Sequence, residues 1–156
     1  MNEESSAARA TRETAQALAE GAAEAMYARD NASQALGMRI EAVRPGYARL
    51  SMTVREDMVN GHDICHGGLI FTLADSAFAF SCNSHNRATV ALSAGIEFLA
   101  PARLGDELFA EAQEQALGGK TGVYDVAVWN QAEQRIALFR GKSYRVRGTV
   151  IPEDDA

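Results

Sequence analysis

Asn60-Gly-His-Asp-Ile-Cys-His-Gly-Gly-Leu-Ile-Phe-Thr-Leu-Ala-Asp75 reads as a polar loop that turns into an apolar helix. Gly67 and Gly68 mark the junction. The first amides of a helix have no partner inside it, and the helix dipole makes that end attractive to negative charge. Glycines there let a substrate oxygen come close to the backbone. Such an end can polarise a carbonyl and hold the oxyanion formed when it is attacked. Asp75 follows Gly68 by seven residues, which places it on nearly the same helical face. Its helical neighbours are Phe71, Thr72, Phe78, Ala79 and Cys82, mostly apolar company for an acid. Two readings are open: a functional carboxylate, or a buried acid satisfied by a cap or a hydroxyl. The rise from Gly67 to Asp75 is about 12 Å, at about 1.5 Å per residue. One small carbonyl cannot touch both ends in a single chain. If both act on one substrate, a second, antiparallel copy supplies the other half, which predicts a two-fold dimer with two shared sites.

Outward from this stretch the pattern is mostly β. Residues 37–43 and 47–54 alternate apolar and polar across a Pro45-Gly46 turn, which predicts a hairpin. Residues 55–66 form a long loop. The helix opened by Gly68 is apolar nearly all round to residue 84, so it is expected to be buried. Strands are expected over 88–98, 107–115, 121–129 and 136–146, separated by Pro101 and Gly105, by Gly118-Gly119, and by the polar turn 131–134. Upstream, residues 11–29 are rich in Ala, Glu and Gln and predict a further helix. One helix cannot cover both faces of a six-stranded sheet, so a curved antiparallel sheet wrapped around a central helix is expected, an α+β fold. The expected organisation is a flexible start at 1–12, a helix over 13–30, one domain over 31–150 and an acidic tail over 151–156.

The totals narrow the possible functions. The chain of 156 residues with 47% hydrophobic residues suits one domain with a real core. No apolar run is long enough to cross a membrane, and the start, Met-Asn-Glu-Glu-Ser-Ser, lacks the basic and apolar regions of a signal peptide. Two cysteines, Cys65 and Cys82, make no disulfide framework, so a cytoplasmic location with free thiols is expected. A net charge of −6 argues against nucleic acid as a partner. That charge sits at the ends: residues 31–152 carry twelve bases and twelve acids. Within them, Arg135, Arg140, Lys142, Arg145 and Arg147 fall in a stretch without an acid. This is a solvated strand face, or one or two of these residues meet a polyanion such as a nucleotide phosphate.

The order of elements, with His-Gly-Gly opening the helix and an acid eight residues after the first of those glycines, resembles the hotdog-fold acyl-CoA thioesterases, and most closely the PaaI type associated with phenylacetate breakdown. The resembling stretches begin at Asn60, Leu73, Cys82, Phe98 (Phe-Leu-Ala-Pro-Ala-Arg-Leu-Gly-Asp), Gly119 (Gly-Lys-Thr-Gly-Val-Tyr-Asp) and Ala137, and span residues 35–147. The N-terminal extension and the acidic tail lie outside them. The resemblance implies that Asp75 is the catalytic carboxylate and that the Gly67 amide holds the thioester oxygen. It implies that Asn60 orients the carbonyl or the water, that His66 buttresses the turn, and that Ser93 offers a hydroxyl to the water. Substrate contacts are implied at Gly68, at Ala100, Pro101 and Arg103, and at Gly119, Lys120 and Thr121. Phe71 and Phe78, near the acid, either line the acyl pocket or belong to the core. No metal and no bound cofactor is implied, coenzyme A being part of the substrate. The partners implied are an acyl-CoA and further copies of the chain, as a homodimer and then a homotetramer, with neither nucleic acid nor membrane.

The implied chemistry suits the residues. A thioester is electrophilic and its thiolate leaves readily, so hydrolysis needs an activated water or nucleophile and an oxyanion site. Asp75 can serve as general base or attack directly to form an anhydride. Two rival readings stand beside it: a hotdog hydratase or dehydratase acting on enoyl or 3-hydroxyacyl thioesters, and a non-catalytic acyl-CoA sensor using the same pocket. His62, Asp63, Cys65 and His66 could suggest a metal cluster, but their spacing matches no standard zinc pattern.

Overall fold

The computed structural model describes residues 5–153. Helix α1 spans Ser6–Arg29 and so starts earlier than its composition suggested. The Ser5 hydroxyl caps it by accepting the Ala8 N–H at 3.2 Å, and Arg9 pairs with Glu13 one turn on. Residues 6–12, expected to be flexible, are therefore helical, because they are alanine-rich and capped. Residues 1–4 of that expected flexible start, and 154–156 of the acidic tail, lie outside the described residues. Asp30 ends α1 and caps a second helix, α2 (Asn31–Ala35), by accepting from both the N–H and the hydroxyl of Ser33. A helix of five residues is too short to show a period in the sequence.

Strands β1 (Arg39–Arg44) and β2 (Tyr47–Thr53) form the expected hairpin. The central helix, α3, spans Gly67–Cys82. Four strands follow: β3 (Thr89–Phe98), β4 (Glu107–Gly118), β5 (Thr121–Trp129) and β6 (Arg135–Arg145). All six join one antiparallel sheet in the order β1-β2-β4-β5-β6-β3. Alternation decides which face is buried. Tyr124, Val126 and Val128 of β5 point inward, as do Leu108, Ala110 and Ala112 of β4. α3 touches every strand of the sheet, which wraps it as expected. Leu73, Ala77, Phe78 and Phe80 meet Leu50, Met52, Val126, Ile136 and Phe139 in the core. Each large side chain fully buried there contributes roughly 1.5–3 kcal/mol.

The two edges of the sheet differ. α1 packs on β1, burying Ala19, Ala22 and Ala23, and Gln16 Nε2 donates to the Val43 carbonyl at 2.8 Å. β3 reaches the opposite edge by pairing with β6 rather than with a chain neighbour. It is open on both faces, with Val90 51%, Leu92 56% and Phe98 53% exposed. Among the described residues no helix is long and apolar enough to cross a membrane.

Candidate active site

The loop 55–66 is more ordered than its length suggested. A short 3-10 turn occupies Glu56–Met58, and Val59 bridges Cys65. Asn60 closes the turn between them. Its N–H donates to the Ile64 carbonyl at 2.8 Å, and its side-chain Oδ1 accepts the N–H groups of His62 and Ile64 at 2.9 and 3.4 Å. The loop thus uses the acceptor side of the Asn60 amide. The Nδ2 donors have no partner among the described residues.

His66 is the N-cap of α3, and its ring Nδ1 accepts the Gly68 N–H at 2.9 Å. An imidazole that accepts at Nδ1 is unprotonated there. The capped amide of Gly68 is thereby withdrawn from any substrate. That of Gly67, the first residue of the helix, donates to no group among the described residues. Asn60 and Gly67 open into one groove of about 550 Å³, walled by Ile70, Phe98, Ala100 and Pro101. It offers two unused donors beside an apolar wall, the chemistry that binds a carbonyl oxygen as charge develops on it.

Asp75 is half-buried, and its carboxylate has no hydrogen-bond or ionic partner among the described residues. Burial alone pushes its pKa above the ordinary carboxylate value. No cap or hydroxyl satisfies it, so the purely structural reading of this acid lacks its required partner. It lies two helical turns from Gly67 and does not line the groove at the helix tip.

Known proteins bear on this arrangement. A family model described as thioesterase superfamily matches residues 62–137. Acyl-coenzyme A thioesterase PaaI of Escherichia coli K12 is 49% identical over 131 residues, which covers 84% of this chain and 94% of that protein. The chain belongs to the PaaI-type acyl-CoA thioesterases. The solved structure of the E. coli PaaI protein superposes with a TM-score of 0.85 at 48% identity, over 86% of this chain and 97% of that one. A Streptococcus mutans protein solved bound to acetyl CoA superposes with a TM-score of 0.69 at 28% identity, over 72% of this chain and 90% of that one. The six-stranded sheet around α3 is the hotdog fold.

The remaining expected residues of this thioesterase are dispersed over the chain. Ser93 is exposed in mid-β3, opposite Lys142, and does not line the helix-tip groove. Phe78 is only 1% exposed, and its ring meets Tyr124 and Phe139 at centroid distances of 5.5 and 5.9 Å. A side chain at Gly141 would begin 2.8 Å from that ring. The structure therefore assigns Phe78 to the core and not to a pocket wall. Phe71 is half-buried against Phe139, at 5.3 Å between centroids. Ala100 and Pro101 line the groove at Gly67. Arg103 is exposed beyond them, its N–H donating to Asp106 at 2.8 Å. Gly119, Lys120 and Thr121 lie elsewhere, in the β4–β5 turn, beside a narrow cleft shared with Arg87 and Arg145. The basic stretch of β6 is partly neutralised: Arg140 grips Asp125 of β5 through two bonds of 2.6 and 2.9 Å. That guanidinium holds the Asp125 carboxyl below its ordinary range.

Sequence reading missed three features. Phe98 stands at the helix tip; it opens one of the resembling stretches, but nothing local gave it a role. Arg87 joins Lys120 and Arg145 at the narrow cleft only through the β4–β5 fold. Glu114, on a strand position that points inward, accepts from Tyr124 at 2.7 Å and shares a 2.7 Å bond with His85. An acid breaking the apolar phase of β4 was the available signal for that last cluster. Both thiols are free and buried, with Cys65 pushed up to about 11 and Cys82 to about 12, chiefly by burial. Neither is a nucleophile at neutral pH.

Proposed function

We propose that this thioesterase hydrolyses aryl-acetyl-CoA thioesters, ring-hydroxylated phenylacetyl-CoA foremost, releasing the free acid and coenzyme A. The observation that carries the reading is the unpaired Gly67 amide beside the Asn60 amide, on the same helix as an unpaired, desolvated Asp75. Because these groups stand two helical turns apart, the reacting site is shared across a two-fold dimer. Gly67 and Asn60 come from one protomer and Asp75 from its partner. The apolar, unpaired edge of β3 supports such an assembly, since an exposed strand of this kind readily adds a second copy. Pairs of dimers form the tetramer.

In this site the thioester oxygen accepts the Gly67 N–H, and Asn60 Nδ2 orients the carbonyl or the water. The Asp75 carboxylate removes a proton from that water, which adds to the carbonyl carbon. The tetrahedral oxyanion collapses, the carbon–sulfur bond breaks, and coenzyme A leaves as its thiolate. Burial raises the pKa of Asp75, which makes it a stronger base toward that water. Ala100, Pro101 and Arg103 on one side, and Gly119, Lys120 and Thr121 on the other, contact coenzyme A. No bound metal or cofactor takes part, and the enzyme works in the cytoplasm. The acyl preference is supported by the E. coli relative, which comes from the phenylacetic acid degradation operon.

Thiol release over a panel of aryl and fatty acyl-CoAs tests this reading. Phenylacetyl-CoA and its hydroxylated forms are expected to give the highest kcat/KM. Faster turnover of long-chain acyl-CoAs would overturn the substrate, and hydration of crotonyl-CoA without thiol release would overturn the reaction. A first turnover in oxygen-18 water is expected to label the product acid. Label found in Asp75 instead would make it the nucleophile.

A further inference from the structure

Of the residues that wall the groove at the helix tip, Phe98 has no part in the chemistry above. Phe98 ends β3 with its side chain 53% exposed. Its ring atoms Cζ, Cε1 and Cε2 nevertheless stand 3.0, 3.3 and 3.4 Å from the point where a side chain on Gly67 would begin. The ring is therefore laid against the backbone that carries the unused amide. Its place is set from behind. Phe98 pairs with Ala137 of β6, and the next two N–H groups, of Leu99 and Ala100, both donate to the Ile136 carbonyl at 2.8 and 3.3 Å. The strand end cannot slide without breaking these bonds. Leu99, Ala100 and Pro101 then continue the same wall.

We infer that Phe98 is a positioning residue for the oxyanion, acting through Gly67; this rests on the reading of Gly67 as the oxyanion donor. The ring covers the Gly67 backbone on the side where a side chain would begin, and the groove side stays open. A donor that water can reach is already hydrogen-bonded and gains little when a carbonyl replaces the water. A donor screened from bulk water gains more, because the local dielectric is lower. The ring also fixes the Cα of residue 67, and with it the direction of the N–H. On this view glycine is required at 67 as much by Phe98 as by the substrate.

The test is steady-state thiol release from phenylacetyl-CoA by the wild-type protein, Phe98→Ala, Phe98→Leu, Gly67→Ala and the double variant Gly67→Ala/Phe98→Ala, each with its assembly measured by sedimentation. Phe98→Ala is expected to lower kcat by about tenfold or more while KM stays within about twofold, with Phe98→Leu between the two. Gly67→Ala is expected to cost about tenfold more in the wild-type background than in the Phe98→Ala background, because the added methyl then has room. An unchanged kcat for Phe98→Ala overturns the inference, as does independent multiplication of the two losses. So does a loss that simply follows dissociation into smaller species, which would make Phe98 an assembly contact. A wild-type protein that releases no thiol overturns the underlying reading and the inference together. An active wild type with an unaffected Phe98→Ala overturns the inference alone.

Discussion

Asp75 is under two opposed demands. The fold penalises its charge, while the proposed chemistry needs it charged. Its pKa in the fold lies above the unfolded value because burial disfavours the carboxylate. The stability tied to its neutral form is complete below the unfolded value and is lost as pH rises through the folded one. At neutral pH the ionised side chain therefore weakens the fold. Asp75→Asn is expected to cut kcat by about a hundredfold or more and yet to melt higher than wild type at pH 7. That gap should close below about pH 4, where both states are protonated. Parallel melting curves and thiol-release assays across pH would show both effects, and an Asp75→Asn protein that melts lower at pH 7 would contradict the burial argument. The acid limb of the wild-type rate profile is expected above the ordinary carboxylate value for the same reason. Asp75 was legible as a candidate because an acid interrupts an apolar helix, but its lack of any partner was not. That depends on which strands the helix meets, and on none of them bringing a donor to it.

At the scale of elements, the His-Gly-Gly junction is the instructive case. The glycine pair marked the helix start, and α3 does begin at Gly67. The two amides then diverge: the His66 ring takes that of Gly68 and leaves that of Gly67. His66→Ala is expected to cost about 1 kcal/mol by urea denaturation, the usual loss for an N-cap. His66→Asn, which can still accept from Gly68, should recover most of it. If the two variants are equally destabilised, the cap is not the reason for the histidine. At the C-terminal end of the same core, Gly141→Ala is expected to lower stability by about 1–3 kcal/mol, because its methyl would overlap the Phe78 ring. Phe78 itself shows where sequence spacing stops. A helical position three residues from the acid allowed either a pocket wall or the core, and the ring's packing on Tyr124 and Phe139 decided for the core. Strand periods were read within a few residues of their ends. The starting point of α1 and the existence of α2 were not, since both turn on single caps at Ser5 and Asp30.

For the whole molecule, the proposed sharing of the site has a consequence that stability cannot imitate. Asp75→Asn and Asn60→Ala should each be nearly inactive alone. In a mixed dimer one site receives both defects and the other receives neither. Equal mixing after unfolding and refolding should restore about a quarter of wild-type activity per chain, since half the dimers are mixed and half their sites are intact. A mixture as inactive as its parts would place both residues in one chain's site. A charge set into the open edge, Leu92→Lys, is expected to give monomers by sedimentation and to abolish thiol release with little change in secondary structure by circular dichroism. A Leu92→Lys protein that stays dimeric and active would move the interface elsewhere.

Periodicity, turn residues and one misplaced acid were enough to read a buried helix within an antiparallel sheet, with a donor-rich tip and a carboxylate about 12 Å away. These are local properties, carried by side-chain chemistry over a few residues. Folding alone chose β6 as the partner of β3, left that edge open, laid Phe98 on Gly67 and brought Arg87 to the turn that holds Lys120. Such contacts join residues far apart in the chain. They are decided by how strands pack and which face they bury, and no short window of residues contains that information.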